Sequence, residues 1–180
     1  MTEIKSQGTP ATNSGAVPTP VSEERDNIGR LIAATFETGR LQSDAGSGNG
    51  WLVAVDGSDH SLRAVAQAAR LVSESRERAS IDFVNVQPWL GKEAAETELP
   101  QRGWAATATA RALLDAAGVP WRVHAVMGEA APQIVRLAEA LGSRGIIIGA
   151  RGLTSAEALL LGSVTYKVIH TATVSVLVTR

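Results

Sequence analysis

The sequence of 180 residues contains no cysteine, three histidines and only 4% aromatic residues, and each scarcity excludes a class of site. Without cysteine there is no disulfide framework, no thiolate zinc site and no cysteine nucleophile. His60, His124 and His170 lie far apart and follow no metal-ligand spacing, so we interpret them as structural. The four tryptophans are too dispersed to form a platform on which successive bases of a single nucleic-acid strand could stack.

The sequence also lacks an excess of charge of either sign and a long hydrophobic run. It has 17 basic and 18 acidic residues, for a formal net charge of −1, which does not favour nucleic acid or an anionic membrane as a partner. No apolar run approaches the roughly 20 residues that span a bilayer, and the start of the chain does not resemble a signal peptide. We therefore expect a cytoplasmic protein that binds neither nucleic acid nor membrane.

The first 50 residues divide into three predicted segments. Residues 1–21 are rich in Pro, Thr, Ser and Gly, which predicts a disordered leader. Residues 22–42 predict an amphipathic helix, because an apolar stripe recurs at helical spacing. The stripe consists of Ile28, Leu31, Ile32 and Phe36. Such a helix would dock on its own domain, a dimer partner or another protein. Residues 43–50, rich in Gly and Ser, predict a flexible linker and a domain boundary.

From residue 51 onward, compact apolar runs alternate with segments of helical periodicity. The predicted strands are 51–56, 81–86, 121–126, 145–148 and 174–179. The predicted helices follow the first strand and cover 105–117, 131–141 and 164–170, with a partly helical loop at 89–102. Alternation of this kind predicts an α/β fold, in which a five-stranded parallel sheet carries helices on both faces. Ligands of such sheets bind outside the carboxyl ends of the strands, where the strand order reverses.

A glycine-rich stretch follows the predicted strand 145–148. Gly149 and Gly152 are followed ten residues later by Gly162 and Ser163, in the pattern G-x-x-G-x(9)-G-S, and a helix-like segment begins just behind them. Glycines allow the backbone to approach an anion closely, and the N–H groups at a helix N-terminus point toward it. The N–H and hydroxyl groups of Ser163 and Thr165 are further donors. The stretch therefore predicts a phosphate-binding site.

Alternatives remain open for each of these residues. The stretch is neither a Walker A loop, because the P-loop lysine is absent, nor the G-x-G-x-x-G fingerprint, and its glycines could simply form tight turns. Asp56, at the end of the first strand of the domain, could accept hydrogen bonds from a ribose or merely cap a turn. Arg151 could pair with phosphate or be a solvated surface residue.

Taken together, these residues resemble the universal stress protein family. The resemblance rests on residues 54–58, on the glycine pattern, which is similar to the ATP-binding signature of that family, and on the closing strand, and it covers residues 51–180. It implies a Rossmann-like, adenine-nucleotide-hydrolase type of fold. It also implies a homodimer formed through the last strand, 174–179, and ATP, ADP or AMP as ligand, with Mg²⁺.

The resemblance also implies a role for individual residues. Asp56 and Val86 would face the adenosine, and Ile148 and Arg151 would line the loop. The ribose and phosphates would be held by Gly149, Gly152, Gly162, Ser163, Val164 and Thr165.

Three functions are compatible with the sequence. The first is a nucleotide-binding regulatory module that responds to stress and acts through its occupancy. The second is a slow ATPase or phosphotransferase, although no carboxylate or lysine is evidently placed to assist hydrolysis. The third is a nucleotide-free interaction protein that uses the predicted helix 22–42 to bind an unknown protein partner. The glycine pattern is intact, which favours the first function.

Overall fold

The computed structural model describes residues 16–38, 50–75, 79–152 and 161–180. Within these ranges all strands join one sheet, in the order β1-β2-β5-β4-β3-β6-β7. The strands are β1 (Ser22–Arg25), β2 (Leu31–Glu37), β3 (Trp51–Ala54), β4 (Ile81–Gln87), β5 (Trp121–Met127), β6 (Gly145–Gly149) and β7 (Ser175–Thr179). The helices are α1 (Asp59–Glu74), α2 (Lys92–Ala106), α3 (Ala108–Ala117), α4 (Ala130–Ala140) and α5 (Ser163–Thr171). Among the described residues, none of these helices combines the length and apolar character needed to cross a membrane.

The sheet confirms the predicted α/β architecture and corrects the number of strands. Strands β5, β4, β3, β6 and β7 are parallel neighbours and correspond to the five predicted strands. Two further strands extend the sheet beyond β5, because β2 pairs antiparallel with β5 and β1 pairs antiparallel with β2. The sheet is therefore mixed and seven-stranded, not parallel and five-stranded. The strand order reverses between β3 and β6, which are the neighbours at the switch point.

The predicted helix over residues 22–42 is wrong: the described part of this segment is a β-hairpin. Asp26 terminates the first strand, and its carboxylate accepts hydrogen bonds from the N–H groups of Ile28 at 3.1 Å and Arg30 at 2.9 Å. Gly29 has φ +75°, a left-handed conformation that a continuing α-helix cannot contain. The Asp–Asn–Ile–Gly sequence is thus a turn that reverses the chain.

Packing explains why the hairpin is preferred to a helix. β2 buries Leu31, Ala34 and Phe36 almost completely, and its backbone pairs with most of β5, from Ala33 opposite Val126 to Glu37 opposite Arg122. A helix would leave the outer edge of β5 without hydrogen-bond partners. Residues just before β1 also join this region, because Val17 packs on the core and the N–H of Val21 donates to the carbonyl of Thr35. Residues 1–15 of the predicted leader and 43–49 of the predicted linker lie outside the described residues.

The two faces of the sheet carry separate apolar cores. Helices α1, α2 and α3 cover one face, where Val53, Phe83 and Val123 point, and α4 and α5 cover the other. On the second face, Leu52, Val84 and Ile146 pack against helix residues that include Ile134 and Val168. Alternation of side chains along each strand assigns the faces. Consecutive residues at the carboxyl ends of β3, β4 and β6 therefore point alternately to one face of the sheet and to the other.

Residues 92–106 form a helix, α2, with Pro100 in its interior, where the sequence predicts a loop with partial helix. Its buried positions, Ala95, Leu99 and Gly103, recur at helical spacing, but two of the three are small, so the segment shows no strong apolar stripe. Gly103 lies so close to β5 that a Cβ atom there would stand 2.3 Å from the Cβ of Ala125. The glycine weakens the local helical signal, yet it is what allows α2 to dock on the sheet.

A buried polar cluster connects the hairpin to the parallel strands. Asp82 on β4 accepts two hydrogen bonds from Arg122, at 2.8 and 3.1 Å, and lies 2.9 Å from Nε2 of His124 on β5. The other ring nitrogen of His124 lies 3.1 Å from the hydroxyl of Thr35 on β2. Burial alone raises the pKa of Asp82, but the hydrogen bonds and charges of His124 and Arg122 outweigh it and lower the pKa below its usual value. His124 therefore has the structural role expected from the sequence.

Candidate functional site

Three of the predicted site residues meet at the carboxyl edge of the sheet, next to the switch point. In the register of the parallel strands, Ala54 is opposite Val84 and Val53 is opposite Ile147. Asp56 and Val86 each lie two residues beyond the first pair and so stand at one level. Gly149 lies two residues beyond Ile147 and is level with Val55, one residue before Asp56. By alternation, Asp56 and Val86 belong to the face covered by α4 and α5, where Val86 packs on the core.

Both carboxylate oxygens of Asp56 lie close to the backbone of other residues. One oxygen accepts a hydrogen bond from the N–H of Ser58 at 3.0 Å. The other lies where a Cβ atom on Gly152 would come within 2.5 Å of it, so the glycine loop passes directly over the carboxylate. The two halves of the predicted site, the end of β3 and the glycine loop, are therefore in contact. Asp56 also stabilises a turn, because it accepts the hydrogen bond from Ser58 just before the start of α1.

Gly149, the last residue of β6, packs against the first turn of α1. A Cβ atom on Gly149 would lie 2.7 to 2.8 Å from the backbone and Cβ of His60. Ser58 caps this helix by accepting a hydrogen bond from the N–H of Ser61 at 3.2 Å. The Nδ1 atom of His60 is buried and has no hydrogen-bond partner within the described chain. His60 thus supports the glycine loop from the face opposite Asp56.

Helix α5 begins at the end of the glycine pattern, with Gly162 as its N-cap. The N–H of Gly162 donates to the carbonyl of Ala150 at 2.8 Å, which closes the loop onto itself. The first N–H groups of a helix have no acceptor within the helix, so the amides of Ser163 and Val164 are available at this end. They form the positive end of the helix dipole, where anions are stabilised. Ser163 is exposed, which leaves its side chain accessible from solvent.

Thr165 anchors the helix to the strand. It is 2% exposed, and its hydroxyl donates to the carbonyl of Gly149 at 2.8 Å. This hydrogen bond fixes the distance between the end of β6 and the start of α5. In this structure the hydroxyl of Thr165 therefore stabilises the shape of the loop.

Space rather than φ restricts Gly149, Gly152 and Gly162, because none of them has a positive φ, and the restriction is strongest at Gly149, which faces the backbone of His60. A Cβ atom on Gly162 would lie 3.3 Å from the Cα of Arg151, and those on Gly149 and Gly152 would clash with His60 and Asp56. The described ends of the loop, residues 149–152 and 161–162, therefore pack tightly against α1, Asp56 and each other. Tight packing and anion binding are compatible, since both need glycine, whose backbone can closely approach another group.

The remaining predicted site residues, Ile148 and Arg151, lie next to this loop or within it. Ile148 is 5% exposed and packs in the core under α4 and α5, so its side chain supports the loop from below. Arg151 is half-buried within the loop, and it already interacts with another group of the chain. Among the described residues, no group of three or more acidic or histidine side chains could hold a metal ion by itself. A cation at this site would need oxygen ligands from a bound phosphate.

The sequence-based prediction missed two residues of this site. Ser58 and His60 precede or open α1 and shape the floor on which Gly149 rests. The signal for Ser58 was present, since Ser followed three residues later by a helical position is a typical N-cap. His60 carries no such signal, because its contact with Gly149 is formed between segments almost 90 residues apart in the sequence.

Comparison with known proteins places residues 51–180 in the Universal stress protein family. The universal stress protein YxiE of Bacillus subtilis (strain 168) is 30% identical over 152 residues, which cover 73% of this chain and 99% of the relative. A universal stress protein of Thermus aquaticus is 33% identical over 133 residues, with 72% and 96% covered.

Solved structures share the fold. A universal stress protein in complex with cAMP superposes with a TM-score of 0.53 at 25% identity, over 74% of this chain and 98% of that chain. A universal stress protein from Archaeoglobus fulgidus in complex with dAMP has a TM-score of 0.54 at 18% identity, over 76% and 99%. A family protein from Arabidopsis thaliana with AMP bound has a TM-score of 0.54 at 17% identity, over 72% and 90%.

Proposed function

The chain belongs to the universal stress protein family, and on that premise we propose that it binds an adenine nucleotide at the carboxyl edge of β3, β4 and β6. The observation that carries the proposal is the contact between the Asp56 carboxylate and Gly152. It brings a carboxylate that can accept hydrogen bonds from ribose hydroxyls next to a glycine loop that can bind phosphate. The ligands named for three structural neighbours, cAMP, dAMP and AMP, are all adenine nucleotides and support the same class of ligand.

Each part of the nucleotide has a proposed counterpart in the chain. Asp56 accepts the ribose hydroxyls, Val86 contacts the adenosine, and the phosphates lie at the N-terminus of α5 against Ser163 and Val164. Arg151 and the backbone of Gly149, Gly152 and Gly162 complete the cradle. We propose ATP, ADP or AMP as ligand. Mg²⁺, when bound, would neutralise phosphate charge, and it would be held mainly through phosphate oxygens and water.

A direct test is to denature the purified protein and analyse the supernatant for adenine nucleotide. The stripped protein is then titrated with ATP, ADP and AMP, with and without Mg²⁺, by calorimetry. We expect bound or titratable adenine nucleotide, and a melting temperature that rises with nucleotide concentration, because a ligand at 100 times its Kd stabilises the folded state by about 2.7 kcal/mol. GTP serves as the matched control for the base.

Two results would contradict the proposal. One is the absence of both released nucleotide and any heat of binding; the other is equal affinity for GTP, which would mean that the site holds phosphates without recognising adenine. Following released phosphate in the same samples separates occupancy from turnover. We propose that the protein acts as a regulatory module through its occupancy, with hydrolysis slow or absent on the time scale of binding.

We also propose that two copies pair through β7, the strand that closes the sheet. Within the described residues β7 hydrogen-bonds to β6 on one side, and its other edge faces outward. Val176, Leu177 and Val178 are half-buried, which leaves apolar surface along that edge. An unpaired edge strand with apolar side chains readily accepts another strand. The opposite edge of the sheet ends in β1, whose four residues are all exposed and, apart from Ser22, charged, so it is protected from such pairing.

The dimer is tested by light scattering after size-exclusion chromatography. We expect the wild-type chain to elute as a dimer and Val178→Glu as a monomer, because a buried unpaired charge in the seam is costly. Lys167→Glu places the same charge on an exposed position of α5 and should remain dimeric. A wild-type monomer would contradict the proposed dimer, and dimers in both variants would place the contact elsewhere than β7.

A further inference from the structure

The turn of the N-terminal hairpin lies at the carboxyl edge of the sheet, on the same side as the nucleotide site. Because β2 runs antiparallel to β5, its first residue, Leu31, stands near the carboxyl end of β5, and the turn 26–30 projects beyond it. Strands β5 and β4 separate the hairpin from β3. The turn therefore does not reach Asp56 itself, and any influence on the site passes through the intervening loops.

The turn is fastened to the loop that follows β4, residues 88–91, and to the start of α2. The guanidinium of Arg30 donates to the carbonyl of Leu90 at 3.2 Å and lies 4.9 Å from the centre of the Trp89 ring. In the opposite direction, the ammonium of Lys92 donates to the carbonyl of Ile28 at 2.7 Å. A further contact, between Arg25 and Glu96, joins β1 to α2 at 2.5 Å.

Arg30 is itself held in place for this contact. Its Nε donates to the carboxylate of Asp26 at 2.9 Å, and its Nη2 lies 2.8 Å from the same oxygen. This pairing orients the guanidinium so that it can reach Leu90 and cover Trp89. Ring and guanidinium form a cation–π pair, although Trp89 remains 57% exposed. An exposed tryptophan in a loop is thus fixed by the hairpin rather than by the core.

The loop 88–91 continues directly into the part of β4 that forms the site. Gln87 donates to the side chain of Asn85 at 2.6 Å, and Asn85 donates to the carbonyl of Val55, next to Asp56, at 2.8 Å. Val86 lies between these two residues. The N–H of Leu90 also points at the sulfur of Met127, at 3.3 Å, which ties the loop to the end of β5. A displacement of the loop would therefore move the end of β4 relative to β3.

We propose that the N-terminal hairpin, which lies outside the family region, is a positioning element of the nucleotide site, with Arg30 and Lys92 as the residues that couple them. This inference rests on the proposed function. Docking of the turn holds the loop 88–91, and with it Val86 and the Asn85 hydrogen bond beside Asp56, in the arrangement that receives the adenosine. Coupling between two sites is reciprocal, so nucleotide binding stabilises the docked hairpin to the same extent.

The test compares two variants that loosen the turn with a control further along β2, all in the full chain. Arg30→Met removes the contacts between the turn and the loop, and Lys92→Met removes the contact between the turn and α2, so each should weaken ATP binding about five- to tenfold in calorimetry. Thr35→Val removes the hydrogen bond to His124, the central residue of β5, so it loosens the hairpin without touching the loop. Its Kd should stay within about twofold of the wild type.

Reciprocity provides a second readout. Hydrogen exchange of the β2 amides should slow when ATP is added to the wild type, and this effect should be lost in Arg30→Met. A general loss of stability would not remove a ligand-dependent difference of this kind. Urea unfolding of all three variants verifies that they are folded at the temperature of the titration.

The remaining outcomes separate this inference from the proposed function. If the wild type binds ATP and both turn variants keep its affinity, the positioning role is wrong and the nucleotide site stands. If Thr35→Val weakens binding as much as the turn variants, stability of the hairpin matters and positioning by the loop contacts is wrong. If the wild type binds no adenine nucleotide, the proposed function fails and this inference fails with it.

Discussion

Replacing Gly152 and Gly162 together by valine should weaken adenine-nucleotide binding by more than about 100-fold while the chain still folds. A Cβ atom at position 152 would lie 2.5 Å from the Asp56 carboxylate, which must then move from the place where we propose that it meets the ribose. At position 162 it would lie 3.3 Å from the Cα of Arg151, at the entrance to α5. Losing two charge-assisted hydrogen bonds costs about 3 kcal/mol, which corresponds to the stated factor.

The measurement is calorimetric titration with ATP, and thermal unfolding of the variant confirms that it is folded. Leu161→Val is the matched control, because it alters an exposed side chain of the same segment and adds nothing between the loop and Asp56. Binding by the double variant within tenfold of the wild type would show that the phosphates do not lie against this loop. Weakened binding by Leu161→Val would show instead that any change in the segment is harmful.

The parallel strands and most helices could be predicted because their patterns are local. A buried strand such as 145–148 is a continuous apolar run, and α4 shows its inner face at helical spacing. The hairpin could not be predicted in this way, since Ile28, Leu31, Ile32 and Phe36 fit one helical face, whereas in the structure Ile28 lies in the turn and the other three lie in β2. What decided between the two was the partner, β5, which no pattern within residues 22–42 can reveal.

The site was predictable to the extent that it consists of strand ends and glycines. The positions of Asp56, Val86 and Gly149 follow from the alternation of strands and helices, because parallel strands end at one edge of the sheet. The support of the glycine loop by His60 does not follow, since it depends on how α1 is placed on the sheet. The same holds for the contact between Arg30 and Leu90, which joins two loops 60 residues apart.

The second large effect is expected at the polar cluster beneath the hairpin. Asp82→Asn removes the carboxylate that pairs with Arg122, whose side chain keeps 22% of its exposure, and leaves the guanidinium without its counter-charge. Breaking a buried ion pair from one side costs about 3 to 5 kcal/mol, and the partial exposure of Arg122 favours the lower value. Urea unfolding at pH 7 should therefore show a loss of about 3 kcal/mol. Glu74→Gln, in an ion pair on the surface of α1, should change the stability by less than about 0.5 kcal/mol.

The dependence of this loss on pH distinguishes an ion pair from a packing effect. The pKa of Asp82 is lowered in the folded state, so the carboxylate contributes its full stabilisation above the pKa of the unfolded chain, near 4, and loses it as the pH falls through the lower folded value. The difference in stability between the wild type and Asp82→Asn should therefore be constant between about pH 5 and 7 and shrink as the pH falls below about 4. A difference that persists unchanged in acid would mean that the amide disturbs the packing of β4 and β5. A difference that shrinks would identify the charge of Asp82 as the link that holds Arg122, His124 and, through His124, the hairpin to the parallel strands.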